Sequence, residues 1–138
     1  MTLELLPMTF AVCQLPLETR ADCDSPFTFF ARTDGEASLV CASEKIPPDA
    51  LRVEPGWRCL RVQGTLDFSL VGILAKIAGC LADAKIPIFA VSTYDTDYVL
   101  IKAACLDRAA EALSAAGMTV RIGGRPDISV PSPSDQPG

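Results

Sequence analysis

The chain has 138 residues, of which 49% are apolar and 21% charged, and its formal net charge is -5. That balance excludes a disordered chain, and an acidic excess without any basic cluster excludes nucleic-acid binding and disfavours anionic membranes. No apolar run reaches the roughly eighteen residues of a spanning helix, and Met1 to Cys13 lacks the basic start and cleavage site of a signal peptide, so the expected compartment is the cytoplasm.

Met8 to Leu15 reads as the first strand. Pro16 to Pro26 is too short for a full helix plus its connections, although a single helical turn can start at Pro16. Phe27 to Thr33 then pairs with Ala37 to Ser43 across Asp34-Gly35, a dipeptide that tolerates positive φ. Leu51-Arg52-Val53-Glu54 is echoed by Leu60-Arg61-Val62-Gln63, which suggests that one unit ends on the first tetrapeptide and the next begins on the second. Trp57 to Gln63 alternates as a strand, with Leu60 and Val62 on one face and Cys59, Arg61 and Gln63 on the other. Gly64 ends it. Asp67 and Ser69 can each cap the following helix, whose apolar stripe is Leu70, Ile73, Leu74, Ile77 and Leu81, and which should run to about Ala84.

Ile86 to Thr93 and Tyr98 to Ala103 are β-rich and flank the turn residues Tyr94 to Asp97, forming a second hairpin. Phe89-Ala90 in this hairpin corresponds in place to Phe30-Ala31 in the first. Asp107 caps a helix over Arg108 to Ala116, Gly117 stops it, and Met118 to Ile122 is the last strand. The later half therefore reads βαββαβ. From Gly123 onward proline, serine and glycine deny any long regular element. The expected division is a truncated unit over 1–55, a complete unit over 56–122 and a flexible tail over 123–138.

The chain contains no histidine. Ser-His-Asp and Cys-His catalysis are therefore excluded, and no nucleophile motif or phosphate loop takes their place. Six cysteines form no Cys-x-x-Cys pair, and Cys13, Cys41, Cys59 and Cys80 lie in apolar runs where thiols act as small buried hydrophobes. No catalytic residue, metal or cofactor is expected. Gly72 and Gly79 share a helical face and suggest close backbone approach. Asp95 and Asp97 read as a solvated turn, and Trp57, Tyr94 and Tyr98 as packing or pocket residues. Arg58, Arg61 and Arg121 either pair with acidic groups across the sheet or face solvent.

The βαββαβ order, with Gly64-Thr65-Leu66-Asp67-Phe68-Ser69 at its first strand-to-helix junction, resembles an ACT domain, the amino-acid-sensing module of regulated metabolic enzymes. The segments Leu66-Asp67-Phe68-Ser69-Leu70-Val71-Gly72-Ile73-Leu74-Ala75 and Ile88 to Tyr98 are similar to small stand-alone tandem-ACT proteins related to the cytosolic arginine sensors. The resemblance implies an α+β fold of two ferredoxin-like ACT units with antiparallel sheets, the first with shortened helical connections. It also implies an effector loop over Gly64, Thr65, Leu66, Asp67, Phe68, Ser69, Leu70 and Val71, with Gly72 at its mouth. Backbone N–H groups at a helix start suit a carboxylate, and nearby side-chain oxygens suit an ammonium. The expected function is a non-enzymatic regulatory protein that binds a small amino acid and forms a homodimer. The alternative is a structural or protein-interaction module without a ligand.

Overall fold

A computed structural model describes residues 1–63 and 72–122 of the chain. These divide into two compact units, a smaller one of Met8–Trp57 and a larger one joining Met1–Pro7 to the chain from Arg58 onward. The strands are β1 (Thr2–Leu5), β2 (Phe10–Leu15), β3 (Phe29–Arg32), β4 (Ala37–Ala42), β5 (Arg52–Val62), β6 (Phe89–Ser92), β7 (Asp97–Lys102) and β8 (Thr119–Ile122). The helices are α1 (Ile73–Asp83) and α2 (Leu106–Ala115). This is an α+β fold, and none of the described helices is long and apolar enough to cross a membrane.

In the larger unit β5, α1, β6, β7, α2 and β8 follow in the expected βαββαβ order. β7 pairs with both β6 and β5, and β5 pairs with β1. β1 was not foreseen. It lies antiparallel to β5, with Leu3 opposite Val62, and parallel to β8, with Leu3 opposite Val120. Inserted at this place, it takes the position beside the central strand that the four-stranded order gives to the last strand. The β1–β8 pair therefore departs from the wholly antiparallel sheets expected. It also draws Met1–Pro7 out of the unit expected over 1–55. The boundary expected at 55/56 falls inside β5, so the two echoed tetrapeptides share one strand.

One face of this sheet supplies Leu3, Leu5, Leu60, Val62, Val99, Ile101 and Val120 to a core closed by Ile77 and Leu81 of α1 and Ala109 and Leu113 of α2. Full burial of each large aliphatic side chain stabilises by about 1.5 to 3 kcal/mol. Both helices end in the same motif. Ile86 N–H donates to Leu81 O at 2.9 Å and Lys85 N–H to Ala82 O at 2.9 Å; Met118 N–H donates to Leu113 O at 3.0 Å and Gly117 N–H to Ser114 O at 3.0 Å. These bonds satisfy the last carbonyls and turn Ile86 and Met118 back into the core. The motif needs a left-handed residue, supplied by Gly117 at φ 90 as expected and by Lys85 at φ 60, a position with no glycine signal. Gly79 is exposed, and a Cβ there would meet nothing within 4 Å, so it marks no close approach.

In the smaller unit β3 pairs with β4, β4 with β2, and β2 with the first part of β5. Ala11, Cys13 and Leu15 alternate along β2 and meet Ala37, Leu39 and Cys41 of β4 on one buried face. Ala21, Ile46 and Ala50 pack against that face from the unit's own loops. The β2–β5 register shifts between Phe10 and Val12, opposite Trp57 and Glu54. One extra residue on β5 makes the bulge, and Gly56 takes its φ of 80 there.

The hairpin expected across Asp34-Gly35 forms, but neither residue has positive φ. Thr33 N–H donates instead to Glu36 O at 2.9 Å, while Gly35 and Glu36 N–H donate to Thr33 Oγ1 at 3.2 and 3.1 Å. The second hairpin repeats the layout, with Thr93 N–H donating to Thr96 O at 2.9 Å. The pairs β3 and β6, β4 and β7, and the 3-10 turns Ser43–Lys45 and Ala103–Cys105 recur at one constant interval. Phe29 thus stands where Phe89 does, one residue from the expected match through Phe30. The tail, 123–138, lies outside the described residues.

Candidate functional site

The expected effector loop, Gly64 to Val71, lies outside the described residues, and so do the two proposed caps Asp67 and Ser69. Both ends of that loop are described. At the far end Gly72 is the N-cap of α1, with φ 84 and no side-chain cap bond. Its carbonyl accepts from Lys76 N–H at 2.8 Å. A Cβ on Gly72 would meet nothing within 4 Å among the described residues, and glycine serves the left-handed backbone here.

At the near end, the last residues of β5 border a polar recess of about 290 Å³. β1 contributes Glu4, β5 contributes Arg61 to Gln63, and the second hairpin contributes Asp95, Thr96 and Tyr98. Strand alternation places these groups together. Leu3 and Leu5 face the core, which turns Glu4 to the opposite side, level with Arg61 across the β1–β5 ladder. Arg61 donates from Nε and Nη2 to Glu4 Oε1 at 3.1 and 2.6 Å. The bond to Glu4 raises the guanidinium pKa above its ordinary value; burial opposes this, and a bond with Tyr98 supports it.

The hairpin is fastened to the strand. Thr96 is 7% exposed, and its Oγ1 donates to Val62 O at 2.8 Å, immediately before Gln63. Thr93 Oγ1 donates to Thr96 O at 3.0 Å. Asp97 accepts from Ser92 Oγ at 2.6 Å and closes the hairpin, whereas Asp95 makes no hydrogen bond or ion pair among the described residues. The described lining holds two carboxylates and one guanidinium, and the carboxylate of Asp95 is an acceptor suited to an ammonium group.

The structure separates the sequence candidates. Arg61 pairs with an acidic group as one reading held, while Arg58 donates from Nη2 to the Leu6 carbonyl at 3.1 Å. Tyr98 lines the recess, Tyr94 is 82% exposed and Trp57 is buried. Glu4 was missed, although the alternation Thr2-Leu3-Glu4-Leu5 is a strand signal that could have found it. The six cysteines are free thiols; Cys13, Cys41 and Cys59 are buried as expected, but Cys80 is half-buried and donates to Ala112 O at 3.2 Å. Among the described residues no group of three acidic, cysteine or histidine side chains could hold a metal ion.

The model of the ACT domain matches residues 52–115, which hold β5 to α2 and every described lining residue of the recess except Glu4. The chain contains an ACT domain. A Homo sapiens protein named cytosolic arginine sensor for mTORC1 subunit 1 is 34% identical to this ACT protein over 108 residues, 70% of this chain and 33% of that one. The orangutan (Pongo abelii) protein of the same name matches to the same extent. The chain thus spans about a third of the length of these curated relatives. A crystal structure of an Agobacterium tumefaciens protein superposes with a TM-score of 0.81 at 31% identity, covering 90% of this chain and 94% of that one. Clostridium acetobutylicum aspartate kinase shares the fold, with a TM-score of 0.59 at 15% identity over 79% of this ACT chain and 33% of the kinase.

Proposed function

We propose that this ACT protein is a non-enzymatic regulatory module of the cytoplasm that binds a small amino acid beside the end of β5. The observation that supports it most is the carboxylate of Asp95, which makes no hydrogen bond or ion pair among the described residues, in the recess at the end of β5. The ammonium of the ligand would face Asp95, and its carboxylate would take backbone N–H groups of Gly64 to Val71. Two charge-assisted bonds of about 1.5 to 3 kcal/mol each sum to about 3 to 6 kcal/mol, which before ordering costs corresponds to an affinity of roughly millimolar to tens of micromolar. Such an affinity suits a metabolite sensor. The two units would be tandem ACT copies, as the constant interval between the hairpins suggests.

Calorimetry against the twenty amino acids tests this reading. One of them should bind saturably, and Ser69→Pro should weaken it while circular dichroism shows the fold intact. If none binds, the interaction module without a ligand becomes the better account.

A further inference from the structure

The recess on β5 draws its polar groups from two parts of the chain. Arg61, Asp95 and Tyr98 belong to the ACT domain of residues 52–115, whereas Glu4 comes from β1, outside it. The insertion of β1 beside β5 sets Glu4 level with Arg61 across the ladder. What Glu4 does there follows from the group it holds.

Arg61 is the one cation among the described lining residues. Its Nε and Nη2 both donate to Glu4 Oε1, at 3.1 and 2.6 Å. A guanidinium has a fixed fork of N–H donors, and this geometry turns one edge of the fork onto a single carboxylate oxygen. A bond with Tyr98 engages the same side chain. Arg61 is 33% exposed and Glu4 18%, so solvent reaches the pair and its contribution to stability is small. Its consequence is electrostatic instead. The positive charge of Arg61 is offset at contact distance, and two of its donors are taken.

Stability alone does not account for the choice of partner. On its other side Glu4 stands opposite Arg121 of β8, which is exposed and whose side chain makes no hydrogen bond or ion pair among the described residues. Glu4 is bonded instead to the arginine that lines the recess. A carboxylate entering there meets an arginine already neutralised, with the carboxylates of Glu4 and Asp95 in the same lining. An ammonium meets Asp95, which makes no hydrogen bond or ion pair among the described residues. We propose that Glu4 is a specificity-determining residue, which by holding Arg61 makes the recess accept the cationic group of a ligand and refuse an anionic one. The inference deepens the proposed function, on which it rests for the identity of the ligand but not for the sorting of charge.

Chemical-shift titration of the full chain with methylammonium and, separately, with acetate tests this at constant ionic strength. Methylammonium should shift the Asp95, Thr96 and Tyr98 signals saturably, and acetate should bind far more weakly. Glu4→Gln keeps the size of the side chain and the ladder of β1 but removes the charge that holds Arg61. Acetate should then bind at least about tenfold more tightly than to the unchanged chain, the gain of one charge-assisted bond, with its largest shift at Arg61 Nε. Arg61→Gln added to Glu4→Gln should abolish the gain, and Arg121→Gln added to it should not. A merely structural ion pair would move the melting temperature but not this preference. Acetate binding the unchanged chain as tightly as methylammonium would overturn the inference, whether or not the variant folds. So would a folded Glu4→Gln with no gain in acetate, or a gain that survives the loss of Arg61. A calorimetric survey in which no amino acid binds, with the acetate gain present, would overturn the proposed function and leave the role of Glu4 standing.

Discussion

Thr96→Val replaces one buried hydroxyl by a methyl group of nearly the same size, so packing is kept and only the bond to Val62 O at 2.8 Å is lost. Thr96 is 7% exposed, and little water can reach the orphaned carbonyl. A buried acceptor left unsatisfied costs about 1 to 3 kcal/mol, a sizeable part of the 5 to 15 kcal/mol that holds a typical domain. Urea denaturation followed by circular dichroism should show the midpoint falling with the slope unchanged. Thr96→Ser keeps the hydroxyl and should recover most of the loss. Because this bond fastens the hairpin beside the end of β5, Thr96→Val should also weaken any amino acid bound there. A loss below about 0.5 kcal/mol, the level of an ordinary surface change, would refute the reasoning. So would a serine variant no better than valine.

Gly117→Ala should destabilise by about 1 kcal/mol, and Lys85→Gly should stabilise by a few tenths to 1 kcal/mol, since relief of left-handed strain exceeds the added unfolded-state freedom; thermal melts of both variants check the opposite signs. Burial raises the Cys59 thiol to about 12, which Arg61 partly opposes, and likewise raises Cys41 to about 12. The unfolded thiols ionise first, so stability is whole below about pH 9 and falls as pH climbs toward the folded values, at about 1.4 kcal/mol per pH unit for each thiol. Urea midpoints across that window should show the fall, and Cys59→Val should lessen its slope. Asp95→Asn should weaken the proposed amino acid at least about tenfold by calorimetry, with an unchanged melting temperature in the absence of ligand. Leu51 and Val53 are exposed apolar residues on and beside β5, and the homodimer that the family resemblance implies would have a use for such a surface; if it forms there, light scattering should show a dimer that Val53→Lys weakens.

The elements whose signals are local were legible in the residues. The spacing of Ile73, Ile77 and Leu81, the glycine at 117 and the β-rich runs around Tyr94 to Asp97 each state their structure within one or two turns of chain. Those signals determined the α+β class and the βαββαβ order. The ACT likeness in Leu66 to Ala75 pointed to the candidate region but not to the side chains around it. The recess depends on Glu4 meeting Arg61, and the two strands that β1 pairs with, β5 and β8, lie far along the chain from it. Four alternating residues before a proline carry a strand signal but no partner, because register is decided by which edge remains open beside the core. Lys85 is similar: its left-handed backbone follows from Ile86 being drawn under α1, a tertiary demand that outweighs the local preference for glycine. The course of the chain after β2 in the smaller unit also belongs to tertiary structure, since loops without regular elements have no period to read, and Arg32, reaching across to Leu17 and Thr19, decides where they stand.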